Sequence, residues 1–321
     1  MSVQARARHA ADVETAIASG QAAKSALVAS WRRSYCLHQL DPSLPRKPLR
    51  LTQQELEQAR ERIGPLMRAA QPSLDHLHQA LGSVGCCVLL TDRAGVPVDR
   101  RGAAGDDATF EAWGLWTGAV WSEEHEGTNG IGTCLVEKRP LTIDRDQHFL
   151  SRNIAMSCSA VPIYDQDARL AGVLDVSSCR TDRTDAFVSL ISLVLAESAR
   201  AIEAGLFRSA FAKARIVLTA ASERGPAGLI AIDSDDLVIG ATRSARLALG
   251  MAHEGALSPV PAADLLGEPG AVREQLGDPE RGVLQRALLR SHGNVSAAAQ
   301  ALGISRATLH RRLKRCELRS H

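Results

Sequence analysis

Residues 159–177, SAVPIYDQDARLAGVLDVS, decide the fold. Segments 159–164 and 170–177 are strand-like runs, and the short polar segment 165–169 reads as a turn, so the pair predicts an antiparallel hairpin. A second hairpin precedes it. Residues 85–91 (GCCVLLT) read as a buried strand, 92–95 (DRAG) as a turn and 96–100 as the returning strand. Residues 141–143 add another strand-like run. Beyond the hairpins, Phe187, Leu190, Ile191, Val194, Leu195, Ala199 and Ile202 fall on one helical face, which predicts a long helix over 184–212. Hairpins bracketed by helices predict an α+β domain built on an antiparallel sheet.

Residues 1–81 read as helical. Segment 53–70 is a single amphipathic helix with Leu56, Ile63, Leu66 and Met67 as its stripe, and the three prolines of 41–48 mark a linker. Further on, 229–232, 233–236 and 237–240 read as strand, turn and strand, 242–249 as a short helix, and 260–270 as a linker. Residues 278–321 are all helical. Asp278 caps a first helix with Pro279 at its first position, and Gly293-Asn294 ends it. A second helix covers 295–302. Gly303-Ile304-Ser305 is a tight turn, and Ser305 caps a third helix that runs to about Arg315.

The 321 residues are 45% apolar and 23% charged, which excludes intrinsic disorder and fibrous classes. The longest apolar stretch, 186–196, is broken by Ser189 and Ser192 and falls short of the roughly 18 residues a membrane span needs. The N-terminus carries no continuous apolar leader, so the expectation is a cytoplasmic protein with no membrane contact. The seven cysteines form no C-x-x-C pair and read as reduced, buried thiols. Gly127, Gly130 and Gly132 resemble a phosphate loop in composition only, because no G-x-x-x-x-G-K-[ST] occurs. Glu123, Glu124, His125 and Glu126 are sequence neighbours that converge poorly on one ion, so they read as a solvated loop. No metal and no cofactor are expected.

The net charge of +2 is unevenly distributed. Residues 281–321 hold nine Arg or Lys and one acid, a balance of +8, which leaves −6 on the first 280. A basic tail on an acidic body is an electrostatic footprint of nucleic-acid binding. On the third helix Leu309 and Leu313 fasten to the other two. The opposite arc carries Ala307, Thr308, Arg311, Lys314 and Arg315, flanked by Arg306 and His310, a cationic face of the kind that enters a major groove. Residues 293–315, GNVSAAAQALGISRATLHRRLKR, resemble the Fis-type helix-turn-helix. The resemblance implies DNA contacts from Ser305, Arg306, Thr308, His310, Arg311, Arg312 and Lys314. His310 stands where Fis has a basic residue.

A second resemblance covers about 150 residues of the N-terminal part. SWRRSY (30–35), GLW (114–116), WSEEHEGTNGIGTCL (121–135), DQHFLSRN (146–153), SCSAVPIYD (157–165) and LAGVLDVSS (170–178) are similar, in order, to the sensor of bacterial acetoin-catabolism regulators. That sensor is a GAF domain, and residues 228–249 resemble the PAS-like piece that follows it. The implied organisation is an N-terminal helical region (1–81), a GAF sensor with flanking helices (82–205), a PAS-like segment and linker (206–277) and an all-α helix-turn-helix domain (278–321). The implied effector pocket is lined by Trp113, Trp116, Trp121, His125, Asn129, Cys134, His148, Phe149 and Cys158. Aromatic walls suit a small organic effector. The AAA+ ATPase that family members carry between sensor and helix-turn-helix has no counterpart in the sequence. These readings predict a non-enzymatic, ligand-responsive transcription regulator without ATPase activity. Its expected partners are DNA, a small organic effector, RNA polymerase and a second copy of the chain, paired through the helical face at 187–202. A ligand-independent architectural DNA-binding protein is the alternative. A thiol enzyme acting through Cys134 or Cys158 is a remote one.

Overall fold

In the N-terminal half the alternating apolar runs become strands β1 (Cys86–Asp92), β2 (Pro97–Gly102), β3 (Leu141–Asp144), β4 (Ser157–Tyr164) and β5 (Leu170–Ser178). They form one antiparallel sheet in the order β2-β1-β5-β4-β3. The structure, a computed structural model, describes residues 3–43, 48–180, 184–223, 226–266 and 279–316. The chain forms two compact units, the first running to Leu206.

The N-terminal helices are α1 (Val3–Ala18), α2 (Ala26–Arg32), α3 (Gln53–Arg62) and α4 (Gly64–Leu81), with a π-helical turn at Arg33–Leu37 after α2. Thr52 and Glu55 form a reciprocal capping box at the start of α3. The single helix expected over 53–70 is two helices. Pro65 has no N–H to give and is favoured in a first turn, and the chain breaks at Ile63 and restarts at Gly64, although the same helix carries Pro72 in its interior. Of the proline-rich segment 41–48, residues 44–47 lie outside the described residues. Short helices α5 (Asp107–Ala112), α6 (Glu123–Glu126) and α7 (Gly130–Glu137) lie between β2 and β3, and α8 (Asp185–Ala210) follows β5.

Both faces of the sheet are covered. Val88, Leu90, Val161, Ile163, Leu174 and Val176 point to one side and pack on Leu66, Ala70, Leu74 and Leu77 of α4 and on Ile191, Leu195, Ala199 and Ile202 of α8. This corrects the expected pairing seam. Ile191, Leu195, Ala199 and Ile202 are all buried in the chain's own core, whereas Leu190 and Leu193 stay exposed at 54% and 65%. The covering takes most of the apolar stripe of α8 and leaves Leu190, one of its seven residues, exposed.

The second unit contains an antiparallel sheet, β6 (Arg215–Leu218), β7 (Leu229–Ile232), β8 (Leu237–Ala241) and β9 (Val260–Pro261), in chain order. Helix α9 (Arg243–Leu249) is capped by Thr242. The expected linker over 260–270 is partly structured. β9 pairs with β8, α10 (Ala262–Leu266) follows, and Ala262 is buried among Ile230, Val238 and Ala241. Residues 267–270 lie outside the described residues. The C-terminal helices are α11 (Pro279–Arg290), α12 (Val295–Ala301) and α13 (Arg306–Arg315). The predicted cap Asp278 lies outside the described residues. Asn294 starts α12 rather than ending α11, since its Oδ1 accepts from the N–H groups of Ser296 and Ala297. Leu284, Ala298, Ala299, Leu309 and Leu313 meet in one core. No described helix is long and apolar enough to cross a membrane.

Replacing Leu195, fully buried between α8 and the sheet, by Ala is expected to lower stability by about 2–5 kcal/mol. The same change at exposed Leu193 is expected to stay within about 0.5 kcal/mol. Urea unfolding of the two variants measures the contrast.

Candidate functional site

The face of the first sheet that turns away from α4 and α8 carries polar groups. The strand register aligns Arg100, Leu89, Asp175, Ala160 and Leu141 in one row, and Gly102, Cys87, Ser177, Cys158 and Ile143 in the next. Directly paired residues share a face, so one acid, one arginine and two thiols stand side by side there. Over them lie Phe110, Leu115, Ala119, Trp121, Ile131 and Met156, with Trp113 packed at the margin.

The nine predicted pocket residues are divided among several environments. Trp121 and Cys158 belong to this cover and floor. Trp121 is buried and its Nε1 donates to the Gly114 carbonyl at 2.9 Å. Trp116 stacks on the guanidinium of Arg100, 4.2 Å from the ring centroid. Cys134 sits in a separate cluster with Ala160 and Val173. Phe149 packs in another with Val13, Leu40 and Leu150. Asn129 caps α7, its Oδ1 accepting from Gly132 N–H and its Nδ2 donating to Gly127 O, both at 2.8 Å. His125 is half-buried with Nδ1 2.8 Å from Ser122 Oγ. His148 Nδ1 is 3.0 Å from the Arg145 carbonyl. Trp113 also lines a cleft of about 250 Å³ together with Arg6, Ala112, Arg152, Asn153 and Ala155.

Sequence reasoning missed Asp175. The side chain is fully buried. Its Oδ2 accepts from Ser177 Oγ at 2.7 Å, while Oδ1 is buried without a hydrogen-bond partner. Burial pushes the carboxyl from its ordinary 3.8 up to about 7, against the opposing hydrogen bond from Ser177. The only sequence signal was an acid inside an apolar strand, LAGVLDVSS. The same burial, with Asp175 nearby, pushes the Cys134 thiol up, and the Cys87 thiol is raised for the same reasons. Both thiols are held in the protonated, poorly nucleophilic form.

The loop expected to be solvated at 123–126 is a correction. Glu123 and Glu126 are 2% and 1% exposed. Arg33 grips Glu123 with two hydrogen bonds, Nε at 2.7 Å and Nη2 at 3.1 Å, and reaches Glu137 at 2.9 Å. Ser30 Oγ donates to Glu123 as well, at 2.9 Å. Arg152 pairs with Glu126. A buried carboxylate needs such partners, and they come from segments about 90 and 26 residues distant, which local reading does not see. Glu124 is exposed.

At the other end of the chain, α13 begins at Ser305, whose Oγ accepts from Thr308 N–H at 3.1 Å. Gly303 takes a φ of 65°, the left-handed value the tight turn requires. Leu309 and Leu313 are buried, while Ser305, Arg306, His310, Arg311, Arg312 and Lys314 are exposed and Thr308 is half-buried. Among the described residues no carboxylate pairs with Arg306, Arg311 or Lys314.

Comparison with known proteins matches residues 2–203 to the family described as MimR, N-terminal domain, and residues 275–315 to the family described as bacterial regulatory protein, Fis family. The acetoin catabolism regulatory protein of Cupriavidus necator is 35% identical over 245 residues, covering 74% of this chain and 36% of that protein. The acetoin dehydrogenase operon transcriptional activator AcoR of Bacillus subtilis is 34% identical over 150 residues, 46% of this chain and 24% of that protein. The propane 2-monooxygenase operon transcriptional activator MimR of Mycolicibacterium smegmatis is 32% identical over 202 residues, 60% of this chain and 33% of that protein. The chain thus spans about a third of the length of these curated relatives, or less. The crystal structure of the E. coli DhaR(N)-DhaL complex contains a chain similar in fold, with a TM-score of 0.52 at 17% identity, covering 83% of this chain and 86% of that one.

Two outcomes are expected at the buried face. The folded Asp175 carboxyl keeps its proton to higher pH than the unfolded chain does. Its contribution to stability is therefore full below about 3.8 and is lost as pH rises through about 7. Asp175→Asn is expected to flatten the fall in urea stability between about pH 5 and about pH 8 by roughly 2 kcal/mol. Thiol titration of the native chain is expected to label exposed Cys36 first, and buried Cys87, Cys134 and Cys158 only on unfolding.

Proposed function

The chain belongs to the MimR N-terminal-domain family, and from that premise we propose that it is a transcription regulator that binds DNA through α12 and α13 and answers to a small organic effector at its N-terminal sensor. The observation that carries this reading is α13. A helix with two buried leucines and an exposed row of Arg306, His310, Arg311, Arg312 and Lys314 follows a left-handed glycine turn, the arrangement of a recognition helix. Its cations neutralise phosphates, and the forked Arg side chains match the acceptor pair of guanine. One such helix reads few bases, so the DNA-bound form is a dimer.

The sensor reading rests on the buried polar face under Phe110, Trp121 and Ile131. The names of the relatives point to a short-chain organic effector, acetoin being the first to try. The raised Cys87 and Cys134 thiols speak against a thiol enzyme. Without a phosphate-binding loop anywhere in the sequence, the chain neither hydrolyses ATP nor remodels polymerase by that means, and it acts through RNA polymerase recruitment or exclusion at its operator.

Operator fragments selected from genomic DNA by the full chain test the reading. Arg311→Ala is expected to weaken operator binding by about 1–3 kcal/mol, and added salt to weaken the wild type steeply. The homogeneous protein is expected to release no phosphate from ATP, with or without DNA. Full operator affinity in a chain cut after Gly277, or DNA-stimulated hydrolysis, overturns the assignment.

A further inference from the structure

We propose that the cleft between Arg6, Trp113 and Arg152 is a binding site for a small organic monoanion, a carboxylate carried on a flat apolar body. The site lies at the margin of the cover, outside the buried polar face invoked for the effector. Its occupation depends on neither the effector nor DNA.

Three segments distant in sequence close the cleft. Arg6 comes from α1, Ala112 and Trp113 from the end of α5, and Arg152, Asn153 and Ala155 from the loop before β4. Each wall is held in place. Ser151 Oγ donates to the Arg6 carbonyl at 3.1 Å, and His9 Nε2 lies 2.9 Å from the His148 carbonyl, so the turn of α1 that carries Arg6 is tied to the loop. The Trp113 ring stands nearly perpendicular to Phe110, with centroids 5.9 Å apart. Arg152 pairs with Glu126, and Asn153 Nδ2 donates to the same carboxylate at 3.4 Å. Walls fixed in advance lower the ordering cost of taking up a ligand.

Charge decides the sign of that ligand. Two arginines line the cleft, and among the described residues no acid does. The charge of Arg152 is matched by Glu126, which is 1% exposed. Among the described residues no carboxylate pairs with Arg6, so one positive charge is left over. Walls of one sign raise the local concentration of the opposite ion. A single surplus charge calls for a monoanion, and a guanidinium presents the paired N–H donors that a carboxylate accepts.

The other walls decide the body. Arg6 is exposed, and an exposed ion pair alone contributes little, so the rest of the molecule must add contact. Trp113 supplies an aromatic surface for it, and the short side chains of Ala112 and Ala155 leave room beside the ring. The cleft of about 250 Å³ has the volume of roughly eight liquid waters, enough for one ring and its carboxylate. A bare anion such as acetate would find Arg6 and leave Trp113 uncovered.

The test uses the full chain and three probes, benzoate, benzamide and acetate. Benzamide keeps the ring and loses the charge, and acetate keeps the charge and loses the ring. Affinity is read by calorimetry, and its place by the indole N–H signal of Trp113 in NMR spectra, assigned with Trp113→Phe. Benzoate is expected to bind with a Kd of about 1 mM or tighter, and roughly tenfold more tightly than either of the others. Added salt is expected to weaken benzoate and leave benzamide unchanged. Arg6→Gln, at an exposed position, is expected to bring benzoate down to the affinity of benzamide, and Arg6→Lys to restore part of the difference. The salt and NMR measurements on the wild type decide the matter if Arg6→Gln fails to fold. No benzoate binding, equal affinity for benzoate and either other probe, an unmoved Trp113 signal, salt-independent benzoate binding, or an intact preference in a folded Arg6→Gln overturns the site.

Discussion

The N-terminal half of the chain depends on a sheet buried on both faces. An antiparallel sheet with one wet face can alternate apolar and polar residues, and its outer row needs no partners. In β1, β4 and β5 every residue from Gly172 onward, and all of Cys86–Asp92 and Ser157–Tyr164, is buried. Each strand must therefore satisfy two different covers. Toward α4 and α8 the demand is met with Val88, Leu90, Leu174 and Val176, close-packed and apolar. Toward α5 and α7 it is met with Cys87, Asp175, Ser177 and Cys158, small or polar groups under large aromatic ones. The back face is a structural core. The front face mixes small polar groups with an aromatic cover.

That front cover is itself held from outside the sheet. Glu123 and Glu126 begin and end the short α6 and are both buried, so each needs a cation within reach. Ser30 comes from α2, Arg33 from the π-helical turn and Arg152 from the loop before β4. Removing Arg33 would strand a buried carboxylate, which is far more disruptive than losing a surface pair. The N-terminal helices thus help hold this cover in place. His9 makes the same connection, with Nε2 2.9 Å from the carbonyl of His148.

How much of this was legible depended on whether the signal was local. The hairpin over 159–177, the strand at 85–91, the short helix at 242–249 and the Ser305 cap follow from period, turn chemistry and hydrogen-bonding side chains a few residues apart, and they appear in the structure. The break at Gly64-Pro65 was equally local and was overridden by an apolar stripe that continues through it. The role of α8 was not local. Periodicity finds an apolar face but does not say whether a second copy or the chain's own sheet covers it. The buried glutamates and Asp175 were invisible for a related reason. Burial of a charged residue is set by what packs on it, and for Glu123 the partners lie in a helix some 90 positions away.

Asp175 is the place where stability and function pull apart. A valine or leucine there would extend the apolar row that Leu89 and Ala160 begin, with no orphaned oxygen and no suppressed ionisation. The chain instead carries a group whose folded state resists the charge that the unfolded state prefers, a destabilising term of some kcal/mol at neutral pH. A structural account of the residue has to find a compensating bond, and Ser177 supplies only one side of it. Regulation adds one condition. The ligand must prefer one conformation of the chain over another, since equal affinity for both moves no equilibrium.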